Sequence, residues 1–332
     1  MHAGRRFKLR EVIYWTRRDI YIFLIAAFVP TALYYFFNIK WLVVPWVAIG
    51  LVGTAAAFVV GFKNTQTYNR LWEARQIWGS IINSSRTWGI MARDMVNDDN
   101  DVTQTLVYRH LAWLTALRYQ MREPRVWENM LLKSNVEFAR NYKIPEREIP
   151  LETELQKFLS VTEQEYILSK KNRATQLINL QSKHLRKLKD AGKVSEFNFI
   201  EMERLLATLY DHQGRSERIK NFPYPRQFAT INQMFIRLFV VILPFGILQE
   251  FSKLSKDIGD WFIWVTVPCA LIVSWVFYIM ERIGESTENP FEGGANDVPI
   301  SNISRTIEID LREMLDENDI PPPVTPQRNI LL

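Results

Sequence analysis

Apolar residues in this chain are gathered into runs rather than dispersed. Two runs lie near the start, 20–37 (IYIFLIAAFVPTALYYFF) and 41–62, and two lie late, 230–249 and 261–280 (WFIWVTVPCALIVSWVFYIM). Each is close to the ~20 residues that carry a helix across the hydrocarbon of a bilayer. The pattern predicts four membrane spans in two pairs, separated by a polar stretch of about 160 residues. The alternative, buried core helices of a soluble protein, fits these run lengths poorly.

The second run has the most structured pattern. Thr54, Phe58 and Phe62 recur at steps of four, so a helix places them on one face. Gly50, Gly53, Ala55, Ala56, Ala57 and Gly61 occupy the other faces and permit close approach of packed helices. Such a helix can line a narrow pore, although the same aromatic face would also suit lipid. The helix is expected to break after Phe62 into a charged, tryptophan-rich segment: Lys63, Asn64, Tyr68, Arg70, Trp72, Glu73, Arg75, Trp78 and Gly79. Interfacial charges beside an aromatic belt of Trp72 and Trp78 explain part of that segment. Their density within two or three turns exceeds what simple anchoring asks.

Between Lys63 and Lys220 the periodicity is helical. Leu111, Leu114, Leu117 and Met121 repeat at helix spacing, as do Phe199, Met202, Leu206 and Leu209. No alternating strand pattern and no internal repeat stands out. Asp98-Asp99-Asn100-Asp101 and Arg122-Glu123-Pro124 read as breaks between helices. Phe222-Pro223-Tyr224-Pro225 closes the region before the third span. Pro30, Pro45, Pro244 and Pro268 interrupt the spans, which membrane helices tolerate. The prolines of Ile320–Pro326 forbid a helix, so that segment reads as an extended tail, lying on the body or disordered.

Charge orients this arrangement. Arg5, Arg6, Lys8, Arg10, Arg17 and Arg18 precede the first run, and no small-residue cleavage site follows it. The positive-inside rule holds that arm in the cytoplasm. Four spans then return the other end to the same side. The expected organisation is a basic cytoplasmic arm (1–19), a first helix pair (20–62), a cytoplasmic helical region (63–228), a second helix pair (229–282) and a cytoplasmic C-terminal segment (283–332). The loops left outside are Asn38–Lys40 and about Glu250–Asp260. The net charge of +5 is modest. The arm suits anionic lipid headgroups better than nucleic acid.

Candidate chemistry is sparse. His2, His110, His184 and His212 are scattered without metal-ligand spacing and read as surface or interhelical residues. There is no phosphate-cradling glycine loop and no nucleophile motif, so the chain does not read as an enzyme and no metal or cofactor is expected. The lone Cys269 has no intrachain disulfide partner and reads as a small apolar residue of a packed helix. Paired repeats and midplane ionisable residues, the marks of a secondary transporter, are missing. The basic run Lys170–Lys189, which includes His184, reads as a solvated helix face or as an electropositive vestibule that concentrates anions. It lacks the interleaved aromatics of a nucleic-acid surface. Arg237, inside the third run, either faces the interior or snorkels to headgroups. Glu281 and Arg282 mark where the fourth span leaves the bilayer.

The run Gly61-Phe62-Lys63-Asn64, Tyr68, Arg70, Trp72-Glu73-Ala74-Arg75 and Trp78-Gly79 closely resembles bacterial members of the bestrophin family. Glu288-Asn289-Pro290-Phe291 matches that family's asparagine-proline-phenylalanine motif, and Arg237 with Leu243-Pro244-Phe245 resembles its bacterial branch. The resemblance spans nearly the whole chain. It implies an all-α homopentamer with four transmembrane helices per subunit and a large helical cytoplasmic portion, placed in a bacterial inner membrane. Its partners would be its own copies, membrane lipids and the permeant ions.

By that resemblance the second helix lines an axial pore, and the hydrophobic neck falls on Thr54, Phe58 and Phe62. A cytoplasmic aperture falls near Phe197. Eukaryotic members follow the Asn289-Pro290-Phe291 position with an acidic calcium clasp. Here Glu292-Gly293-Gly294-Ala295-Asn296-Asp297 offers two carboxylates, where calcium sites commonly use several, so no calcium clasp is expected. The implied activity is passage of small monovalent ions, chloride first, since phenylalanine edges carry partial positive charge. A cation-selective, sodium-conducting channel is the alternative, because ring orientation decides the sign. A membrane-anchored scaffold or signalling protein, using the basic run and the proline-rich tail, is the competing class.

Overall fold

Helices account for nearly all regular structure in the computed structural model, which describes residues 1–97, 100–130, 132–140 and 142–332. They are α1 (Leu9–Phe37), α2 (Trp46–Asp94), α3 (Asn100–Arg122), α4 (Lys133–Ala139), α5 (Pro145–Glu148), α6 (Leu151–Leu155), α7 (Val161–Leu168), α8 (Arg173–Asp190), α9 (Glu196–Asn221), α10 (Arg226–Ile258), α11 (Thr266–Thr287) and α12 (Ile300–Glu313). Among the described residues the only extended pairings are isolated bridges, His2 with Ile330 and Gln327 with Ile330. The chain divides into two units, one of Arg6–Arg70 with Pro223–Glu288, the other of Met1–Arg5, Leu71–Phe222 and Asn289–Leu332.

The first unit holds apolar stretches long enough to cross a membrane on α1, α2, α10 and the segment Asp260–Thr287. Its core is formed by Phe23 and Ala27 of α1, Ile49, Ala56 and Val60 of α2, Ile236, Phe239 and Leu243 of α10, and Ala270 of α11. Hydrogen bonds between side chains tie α1 to α11: the Trp275 indole donates to Thr16 Oγ1 (3.0 Å) and the Tyr278 hydroxyl to Asp19 (2.8 Å). Asn38 ends α1 in the left-handed region.

Two boundaries differ from the sequence expectation. The second helix does not break after Phe62: α2 runs unbroken from Trp46 to Asp94, a helix of 49 residues. Nothing between those positions is proline, and Lys63, the expected breaking point, is buried and neutralised by a partner instead of turning to solvent. The expected loop at Glu250–Asp260 is also mostly helix, because α10 continues to Ile258. It ends where Gly259 takes a φ of 124°, a conformation that favours glycine. The break expected at Arg122-Glu123-Pro124 is present. Asp98 and Asp99 of the other expected break lie outside the described residues.

The second unit is organised around α3, which is buried on nearly every side. Leu106, Leu111, Leu114 and Leu117 of α3 join Ile81 and Trp88 of α2, Leu177 and Leu185 of α8, Met202 and Leu209 of α9, and Ile307 and Leu311 of α12. Helix α3 carries Arg109, His110, Arg118 and Arg122 into that core along with its leucines. Two indole donors are paired around it: Trp88 Nε1 donates to the Leu106 carbonyl (3.2 Å) and Trp113 Nε1 to Gln213 Oε1 (2.9 Å). Arg118 and Arg122 meet the buried Glu146 at 3.3 and 3.6 Å. The segment after the prolines is anchored, with Ile330 and Leu332 buried beside Tyr142 and Ile144.

His110 was expected on a surface or between helices. It lies between helices, in the core, with Trp88 at 6.2 Å and Trp113 at 5.1 Å between ring centroids. Burial pushes its imidazole down to about 3. Between that value and the ordinary range near 6.5, the unfolded chain binds a proton that the folded chain does not. His110 therefore withdraws stability as pH falls below about 6.5. Thermal unfolding in detergent should show the melting temperature of the wild type falling more steeply between about pH 7 and pH 5 than that of His110→Phe, which keeps a ring in the stack. Parallel slopes would contradict this account.

Candidate pore-lining face and its anchor

The two sides of α2 differ in what they touch. Ile49, Ala56, Val60, Lys63 and Thr67 are buried, at helix spacing, in the first unit. The opposite stripe is open: Val47 is 74% exposed, Leu51 69%, Phe58 76% and Phe62 50%, with Thr54 also exposed. Large apolar groups left uncovered in a row mark a surface that meets something else. In Leu71–Asp94 the same helix again separates a buried side (Ala74, Ile77, Trp78, Ile81, Trp88) from an exposed one (Trp72, Gln76, Gly79, Asn83).

Glycines hold the buried side close to α10. A Cβ on Gly53 would sit 2.6 Å from the Phe239 ring, and one on Gly246 would sit 2.5 Å from Ile49. The start of α2 is pinned by the Trp46 amide, which donates to Gln249 Oε1 at 2.9 Å. Thr54 Oγ1 donates back to the Gly50 carbonyl at 2.9 Å, so its hydroxyl proton is spent within the helix.

Just past Phe62, polar contacts lock α2 to α11. Lys63 Nζ, 2% exposed, donates to Glu281 Oε1 at 2.6 Å. Asn64 Nδ2 donates to the Met280 carbonyl (3.0 Å), and Thr287 Oγ1 to Thr67 Oγ1 (3.0 Å). Gly284 leaves room for the Asn64 side chain. Glu281, expected at the exit of the fourth span, is buried and supplies the counter-charge that Lys63 needs. Arg226 pairs with Glu288 at 2.5 Å. Burial raises the Glu288 carboxyl above its ordinary range, opposed by Arg226 and Lys63.

The other motif residues divide between buried and exposed positions. Trp78 and Phe291 come together in the core of the second unit, ring centroids 6.2 Å apart. Asn289 and Pro290 are buried beside them, and the Pro290 carbonyl accepts from the Val298 amide at 3.0 Å. Glu73 accepts from Arg218 at 2.5 Å. Tyr68 (54%) and Trp72 (48%) are exposed, and Arg70 and Arg75 are half-buried. Phe197, in the first turn of α9, is 83% exposed. Arg237 is exposed on α10.

The two carboxylates after Phe291 are already engaged. Glu292 Oε2 accepts the amides of Asn129 (2.8 Å) and Met130 (3.0 Å), and Asp297 Oδ2 those of Gly293 (2.7 Å) and Gly294 (2.9 Å). Burial pushes both carboxyls up, and Asp297 pushes Glu292 further. Sequence reading named Glu281 as an exit marker and missed its pairing with Lys63. Its available signal was a lysine abutting a membrane-length apolar run, which requires an acidic partner on a neighbouring span.

Together these features define a multi-span helical membrane protein whose second helix shows an uncovered apolar stripe. The particular group follows from comparison: the chain belongs to the bestrophin family, residues 12–313 matching the family model described as Bacterial/Fungal Bestrophin protein. It is 25% identical over 308 residues to the "Voltage-dependent anion channel-forming protein YneE" of Salmonella typhi, covering 93% of this chain and 88% of the relative. The protein of the same name in Escherichia coli K12 is 24% identical over 312 residues, 94% of this chain and 90% of the relative. The crystal structure of a bacterial bestrophin homolog from Klebsiella pneumoniae matches the fold with a TM-score of 0.76, at 21% identity, covering 93% of this chain and all of the homolog (100%).

The lock can be tested by a double-mutant cycle. Lys63→Met alone strands the Glu281 carboxylate and should cost about 3–5 kcal/mol. The double variant Lys63→Met/Glu281→Leu should recover most of that loss in denaturant or thermal unfolding. Losses that simply add would mean the two side chains are not coupled.

Proposed function

We propose that five copies of this chain assemble around an axis lined by α2 and form a channel for small monovalent anions, chloride among them. The carrying observation is the exposed stripe Val47, Leu51, Thr54, Phe58 and Phe62 on a helix whose opposite face is fully packed. In this reading Thr54, Phe58 and Phe62 make three stacked rings, a hydrophobic constriction that gates by dewetting. Phe197 forms a separate cytoplasmic aperture, a role its exposure suits.

The sign of the ion is argued from what the stripe lacks. Cation channels commonly use rings of Asp or Glu. Between Trp46 and Asn83, the exposed residues of α2 include neither. Membership of the family, with relatives named for forming anion channels, supports the same sign. The basic arm and the helical region 63–228 face the cytoplasm under the positive-inside rule, as does the segment from 283 onward. A calcium clasp is no part of this reading; one oxygen of each of Glu292 and Asp297 accepts backbone amides.

Native mass spectrometry of the purified protein should give five subunits, and a stable smaller assembly would remove the shared axis. In planar bilayers under a KCl gradient, the reversal potential should move toward the chloride equilibrium potential. Movement toward potassium would reject the anion assignment. Phe58→Ala and Phe62→Ala should each raise conductance or open probability several-fold, as a wider and wetter constriction requires; unchanged currents in both would place the neck elsewhere.

A further inference from the structure

The second unit contains a cleft of about 590 Å³ that the channel reading does not use. Its size falls within the ~300–1,000 Å³ of small-ligand sites. Arg109 of α3 forms one wall with Glu163 of α7, and Lys183, His184, Arg186 and Lys187 of α8 line another.

The wall at Arg109 is built rather than incidental. Arg109 is only 5% exposed, and its guanidinium donates to Glu163 (2.6 Å) and Gln181 (2.9 Å). Its Nη1 also lies 3.0 Å from His184 Nδ1. A guanidinium cannot accept a hydrogen bond, so Nδ1 accepts and the proton of His184 sits on Nε2 as a donor. Arg109 Nε is buried with no hydrogen-bond partner.

The charges on α8 are left over. Glu163 is consumed by Arg109, and Asp190 stands 3.9 Å from Arg186 in a pair exposed at 61% and 78%. Among the described residues, the ammonium groups of Lys183 and Lys187 have neither an ion pair nor a hydrogen bond. They are four residues apart, so they repel across one helix face. The helix dipole accounts for basic residues in the last turn, Lys187 and Lys189. It does not account for Lys183 a turn earlier.

We propose that this cleft binds a small polyvalent phosphate-bearing anion. Lys183 and Lys187 supply mobile ammonium donors, and Arg186 adds a third cation once it leaves Asp190. The Arg109 wall is fixed in place beforehand. A single halide would neither fill the cleft nor neutralise two uncompensated lysines.

The test is calorimetric titration of inorganic pyrophosphate into the purified full chain in detergent. The expected result is one saturable site per chain whose affinity falls as salt is raised. Lys183→Ala/Lys187→Ala, both exposed positions, should weaken binding by about tenfold or more. Lys171→Ala/Arg204→Ala removes the same charge outside the cleft and should leave affinity nearly unchanged. Absence of saturable binding would overturn the proposal. So would equal weakening by the two double variants, which would mean a diffuse positive surface. Two further probes, glycerophosphoinositol phosphate with and without dioctanoyl chains, identify the source. Tighter binding of the acylated form assigns a lipid headgroup, and equal binding assigns a free metabolite. The titration reads no ion flux, so it stands apart from the outcome of the channel experiments.

Discussion

The contact between Lys63 and Glu281 governs the rest of the membrane unit. A lysine ammonium taken out of water is costly, and so is an isolated carboxylate. Each is acceptable only because the other is 2.6 Å away. That requirement fixes the rotation of α2 against α11. One residue of slip would turn the helix by about 100° and separate the charges. The same rotation decides which face of α2 is covered. With Lys63 pointing at α11, the neighbouring Phe62 and the positions four and eight residues before it are left open. The uncovered stripe is thus a consequence of a charge pair on the opposite side of the helix.

Packing makes that orientation exact along the rest of the span. Gly53 and Gly246 remove the Cβ atoms that would collide with Phe239 and Ile49, so a side chain of each helix rests directly on the backbone of the other. Within lipid there is little hydrophobic drive between helices, and close dispersion contact of this kind supplies the adhesion. The ion pair sets the angle and the small residues set the distance. Both act on the buried side, so the exposed side takes no part in holding this unit together.

Much of this was legible in the residues. The four apolar runs coincide with the helices that can span a membrane, and the four-residue step of Thr54, Phe58 and Phe62 coincides with an exposed face. Helix ends were read less well. Hydropathy registers where a chain leaves hydrocarbon, whereas a helix stops only where its backbone bonds fail. At Lys63 and at Glu250 the apolar run ends and the hydrogen-bonded ladder continues. Glu281 was read locally, as an exit marker, because its partner is more than two hundred positions away in the chain. His110 was similarly opaque: its stacking on Trp88 and Trp113 depends on how α3 lies in the core, which spacing alone does not specify.

The unbroken course of α2 has a mechanical consequence. At 1.5 Å per residue its 49 residues make a rod about 74 Å long. An α-helix without proline resists twisting, because turning one segment against the next would stretch the whole ladder of backbone bonds. The residues that could act as joints are Gly61 and Gly79, where an added Cβ would meet nothing within 4 Å. From Phe58 to Trp88 the helix is thus one continuous ladder of backbone hydrogen bonds, with those two glycines as its least encumbered positions.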